Sequence, residues 1–285
     1  MKNIKKTLAV LKYHVIVQIR SVKTLVVMLM LFLYIRSLLD PVNTFLEEVG
    51  VKIHPFVFPE LANDFVVQVV LLLGFLVLVC DAPFMKKGYL FIVSRSGKSN
   101  FVIGQSLFLL MYSVLYTLSI WLFSVINLLK NMEWESDWGK AIMTLAKTDA
   151  GMQYDIGTGW DQVVVSNYTP IEATIKTMIL FILGLWFIAL VVYFMNYFLK
   201  NYTGIIAGVI IIFFDISINN VFDPSLYKFS PASLMKISVV TGIGMNPSFE
   251  YALMFLGLGC AILMAAVVIG TRMKKGLKFG DRRNQ

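Results

Sequence analysis

The sequence predicts an all-α membrane protein with about six transmembrane helices, on the strength of its composition, its long apolar runs and the placement of its charges. Of 285 residues, 58% are apolar and 15% charged, and the mean hydropathy is +0.76. Soluble domains carry nearer a quarter charged residues. Runs such as 65–80, 101–129 and 177–198 reach or approach the roughly 20 apolar residues that cross about 30 Å of hydrocarbon. The formal net charge of +8 falls on residues flanking those runs and forms no exposed recognition helix, so nucleic acid is not an expected partner.

In chain order, residues 1–23 carry Lys2, Lys5, Lys6, Lys12, Arg20 and Lys23 with no acid, while Ile4, Leu8, Leu11 and Val15 recur at helical spacing. An N-terminal amphipathic interfacial helix is expected, with its apolar stripe at the headgroup boundary and its lysines toward anionic lipid. A disordered basic tail would not need the stripe. No removable leader is expected, because a long basic segment precedes the first apolar run and no small-residue cleavage site follows it. The first span covers about 24–39 and ends at Asp40 and Pro41. Glu47, Glu48 and Glu60 against a lone Lys52 give the next loop an external character. The second span, about 61–80, returns to the inside and delivers a short basic and aromatic island at 81–100.

The third span, 101–129, is long enough to tilt. It leads to an acidic external loop or small cap at 130–176, where Trp134, Trp138 and Trp160 either sit at the interface or cover the cap. Within that loop, 141–147 has helix-forming composition and 151–159 does not. The fourth span, 177–198, turns tightly at Lys200 into a short fifth span, 203–218, that carries Asp215. Residues 219–250 combine Pro224, Pro231, Pro247, Gly242 and Gly244 with many apolar residues. That mixture reads as an external re-entrant segment whose backbone must be satisfied by protein or water. The sixth span, 251–269, precedes a basic tail of Arg272, Lys274, Lys275, Lys278, Arg282 and Arg283. The whole chain, 1–285, is one transmembrane domain, and the charge asymmetry places both termini in the cytoplasm. An odd number of spans would spoil that asymmetry.

Few residues invite a chemical role. Gly97, Lys98 and Ser99 match the end of a phosphate-binding loop, but the glycine required five positions before Gly97 is Ile92, and a membrane span follows directly. His14 and His54 fall on opposite sides of the membrane, Cys80 and Cys260 lack metal-ligand or CxxC spacing, and no HExxH or GxSxG occurs. A non-catalytic chain with no cofactor or metal of its own is the expectation. Arg36 and Asp215 are the costly residues, since an ionisable group at the bilayer centre costs about 3 kcal/mol unless solvated or paired. They either belong to a substrate path or gate, paired with each other, or snorkel to the outer interface. In the island, residues 83–89 suit a short helix capped by Asp81. Phe84, Met85, Tyr89 and Phe91 would offer apolar contacts, and Lys86, Lys87, Arg95 and Lys98 charge; the island is either a partner-facing surface or an ordinary positive-inside loop.

The pattern resembles the membrane subunit of an ABC-2 type ABC transporter. The matching features are a basic amphipathic helix before the first span, about six spans with both ends inside, a cytoplasmic loop after the second, and a dipping external segment before the last. In that family the loop carries an acid, a glycine in an amphipathic helix, a Pro-Ser-Arg-like turn and a Gly-Lys-like start to the third span. Asp81, Gly88, Ser94 with Arg95, and Gly104 with Gln105 stand in those places, while Ile92 and Val93 occupy the proline region and Gln105 replaces the lysine. The resemblance implies that the N-terminal helix and a cytoplasmic coupling helix, with Asp81, Pro83, Phe84, Lys86, Lys87, Gly88, Tyr89 and Arg95, dock separate cytoplasmic ABC ATPase subunits. ATP and Mg would be bound by that partner. A second permease subunit, identical or related, would complete an exporter of a hydrophobic or amphipathic cargo, such as a peptide, in a bacterial plasma membrane. A secondary transporter or channel without an ATPase, and an integral membrane enzyme, are the other classes; the first requires paired polar residues deep in the spans or an inverted repeat.

Overall fold

The computed structural model describes residues 2–85, 89–134, 137–199 and 202–273. It is all-helical, with 79% helix and no strand among the described residues. Twelve α-helices are found there. In chain order they are α1 (Lys2–Ile19), α2 (Val22–Val49), α3 (Phe58–Asn63), α4 (Phe65–Val79), α5 (Tyr89–Ser96), α6 (Lys98–Leu128), α7 (Gly139–Lys147), α8 (Ala150–Gln153), α9 (Gln162–Asn167), α10 (Pro170–Phe198), α11 (Thr203–Asn220) and α12 (Phe249–Met273). Five of them, α2, α6, α10, α11 and α12, are long and apolar enough to cross a membrane. The expected second span is broken instead. Asp64 leaves helical geometry and accepts the Val67 N–H at 2.9 Å, so it caps α4 and separates it from α3.

The expected stop of the first span at Asp40 and Pro41 is also corrected. Helix α2 continues through Pro41 to Val49 and ends on Gly50, whose φ of 71° closes a left-handed cap onto the Leu46 carbonyl. Proline costs an internal helix about 3 kcal/mol. Here Leu31, Ile35, Leu39, Val42, Phe45 and Leu46 form one buried stripe on both sides of Pro41, and burial at about 1.5–3 kcal/mol per large side chain outweighs the break. Helix α10 starts seven residues before the expected span because Thr169 accepts the Glu172 N–H and Pro170 occupies the first turn. Helix α6 starts at Lys98.

The core lies between α10 and α6, with α1 and α2 packed on α6, α11 and α12 on α10, and α4 against α2, α10 and α11. Polar side chains tie neighbours at intervals. Tyr116 donates to the Leu71 carbonyl at 2.6 Å, Trp186 to the Ser106 carbonyl at 3.1 Å, and Gln68 to the Ala232 carbonyl at 2.9 Å. Each gives a buried group the partner that hydrocarbon cannot supply. One end of the bundle carries the basic residues Lys23, Arg95 and Lys98; the opposite end holds Glu47, Glu48 and the cap formed by α7, α8 and α9. Residues 230–237 pass into the bundle as buried irregular chain with one short 3-10 turn, Ser233–Met235.

Candidate functional site

Two places combine buried polar chemistry with exposed surface or irregular chain. The first is the basic end. Helix α1 splits the stripe expected of it, with Val15 packed against the core and Leu11 half-buried. Thr7, Val10, His14 and Gln18 are buried, whereas Ile4 and Leu8 stay exposed at 64% and 53% and remain free to face lipid. The buried row fits α6 because Gly104 leaves space for Val10, and Gln105 meets His14 at 3.2 Å. His14 lies within 5.7–6.1 Å, ring centre to centre, of Phe84, Phe101 and Phe108. Phe84 of the island is thereby buried in a cage built from α1 and α6.

Asp81 does not cap a helix at 83–89. Residues 83–85 are non-helical, and Asp81 accepts from Lys23 at 2.7 Å, which joins the start of α2 to the end of α4. Asp81 is 62% exposed, so the pair contributes about 0–1 kcal/mol and acts mainly as a locator. Among the described residues, the helix of the island is α5, Tyr89–Ser96. Its Leu90 and Phe91 are 52% and 77% exposed, beside exposed Arg95. Lys86, Lys87 and Gly88 lie outside the described residues. Asn196, unremarked in the sequence, locks the same end: its Nδ2 donates to the Cys80 and Ala82 carbonyls at 2.9 and 2.8 Å, and its Oδ1 accepts the Gly204 N–H at 2.8 Å. An Asn inside an apolar run was the available signal.

The second place is Asp215. The first alternative, a pair with Arg36, is not formed: Arg36 is 60% exposed on α2 and neighbours Asp40 at 3.8 Å. Nor does Asp215 snorkel. It is 1% exposed, accepts from Lys236 at 2.9 Å, and takes a hydrogen bond from the Ser233 hydroxyl. Lys236 is itself buried, with its ammonium 5.2 Å from the Phe65 ring centre. The ion pair therefore fastens the irregular 230–237 chain to α11. A single lysine in the apolar stretch between Pro231 and Pro247 was the sequence signal that went unread.

Both cysteines are free. Among the described residues, no group of three or more His, Cys, Asp or Glu is placed to hold a metal ion. Comparison of the chain with family models, with curated proteins and with solved structures gives no match.

Proposed function

We propose that the chain is the membrane permease subunit of an ATP-driven exporter of the ABC-2 type that its sequence resembles. It would work in the bacterial plasma membrane with both termini cytoplasmic, beside a second permease subunit and separate cytoplasmic ATPases that bind ATP and Mg. The observation that carries the reading is α5. It presents Leu90, Phe91 and Arg95 outward while Phe84, just before it, is anchored in the α1–α6 cage. An exposed aromatic on a short helix packed against α1 and α6 is what a partner needs in order to push on the spans. The cargo would be hydrophobic or amphipathic, since the apolar spans offer few polar groups to a charged one.

Affinity purification from native membranes tests this. An ABC ATPase should copurify with the wild-type chain, and Phe91→Asp together with Leu90→Asp should cut its recovery at least tenfold without lowering membrane insertion. Wild-type chain recovered without an ATPase, or full recovery with the double variant, would refute the reading. A secondary transporter without an ATPase is the second reading, favoured by one observation: Asp215 and Lys236 are a buried ion pair of the kind such proteins use along an ion path. The same purification separates the two.

A further inference from the structure

Glu60 is a second buried carboxyl, 1% exposed, and among the described residues no cation pairs with it. It sits on α3, ahead of α4 and outside the candidate spans. Its Oε2 accepts the Asp161 N–H at 2.8 Å, and its Oε1 has no hydrogen-bond partner. One helical turn later, Asp64 caps α4 through Oδ1 while its Oδ2 accepts the Gly159 N–H at 2.9 Å. Two carboxyl side chains four residues apart thus grip alternate amides of the chain at 159–161, just before α9. The Thr158 hydroxyl, the Trp160 indole N–H and the Asn63 amide nitrogen are also buried without partners. Four unsatisfied atoms on the two facing segments mark a contact held at a cost, one that is open to alternatives.

The charges around Glu60 are few. The gripped segment contributes Asp161, and α4 contributes Asp64, which has Tyr34 of α2 beside it. Helix α10, packed on α3, carries Glu172 and Lys176, which pair with each other at 2.7 Å. Helix α6 has no charged residue between Lys98 and Lys130. Burial, with the nearby Asp161 charge adding to it, pushes the Glu60 carboxyl up to about 8.

We propose that Glu60 and Asp64 form a proton-held clasp, in which protonated Glu60 seats residues 158–161 on α3 and loss of that proton releases them. The direction follows from linkage. The seated state holds a proton that a released, solvated carboxyl with its ordinary value of 4.5 gives up, so from about pH 4.5 to about pH 8 the seated state binds more protons. The ratio of seated to released forms then falls by about tenfold per pH unit across that window and is constant outside it. Acid closes the clasp and alkali opens it. The position of the cap over its end of the bundle becomes a function of proton activity on that side.

A nitroxide at Gly157 reads the clasp. A Cβ there would have nothing within 4 Å, so Gly157→Cys can be labelled in a Cys80→Ser, Cys260→Ala chain held in nanodiscs. The immobile spectral component should dominate at pH 5, shrink toward about pH 8 and then level off, and Glu60→Gln should keep it constant. Should Glu60→Gln fail to fold, Asp161→Asn decides instead: it retains a capping side chain, removes the neighbouring charge and should reduce the mobile fraction gained by pH 9. A wild-type spectrum unchanged from pH 5 to pH 9, or a transition undiminished in the variant that folds, would overturn the proposal.

Discussion

Asp215→Ala should destabilise the protein by about 3–5 kcal/mol, the cost of leaving one member of a buried pair without its counter-charge. The figure is large because Lys236 has 3% of its side chain exposed and cannot reach water without pulling residues 230–237 out of the bundle. Replacing both partners with apolar residues of similar size, Asp215→Leu with Lys236→Met, should restore most of the loss, since burying two charges is itself expensive. Thermal unfolding in a single detergent measures all three proteins. A single alanine variant that melts with the wild type would show that the pair does not fasten the segment to α11. Transport by the double variant then sorts the roles: restored folding with lost transport makes the pair part of a path or gate, and restoration of both leaves it structural.

Gly104→Leu should detach α1 from α6. A Cβ at this position would lie 2.8 Å from the Val10 Cβ and 2.9 Å from the Thr7 carbonyl oxygen, and the second of these is backbone that cannot move aside alone. Overpacking of this kind costs about 1–3 kcal/mol. The loss falls on one helix, so the expected outcome is local: faster tryptic cleavage at Lys12 and Arg20, with the spans still protected. If the exporter reading holds, ATPase recovery falls as well, because Phe84 loses the α1 wall of its cage. Unchanged cleavage at Lys12 and Arg20 would mean that α1 is not held by this contact.

The helical membrane class was legible because hydropathy sums over many residues and tolerates local errors. Places where a single residue decides the geometry were less legible. Pro41 reads as a stop, and only the burial of Val42, Phe45 and Leu46 beyond it shows why the helix goes on. The start of α10 was available as Thr169, Pro170 and Glu172, a capping pattern that a search for apolar runs passes over. The stripe on α1 was only part of the story, since the fully buried row of Thr7, Val10, His14 and Gln18 is the more polar one and His14 meets Gln105 of α6. Lys236 lies 21 residues from Asp215 across two proline turns, and no periodicity connects them. The island was identified as a place of interest from its charge and aromatics. The expected helical start at Pro83 is not formed, since residues 83–85 are non-helical and Asp81 is held by Lys23.

The break at Asp64 leaves α4 with 15 residues, about 22 Å of helix against roughly 30 Å of hydrocarbon. In the six-span reading, that flank of the molecule is too thin for the bilayer around it. Lipid there must compress or the bundle must lean, at a fraction of a kcal/mol for each ångström of mismatch. The elastic load falls where α3, residues 230–237 and Asn63 meet the outer end of α4, since Asn63 accepts the Ser238 N–H there. In that reading membrane thickness would act on this protein as a mechanical input, and shorter acyl chains would relax the same junction that the buried ion pair and the gripped segment hold together.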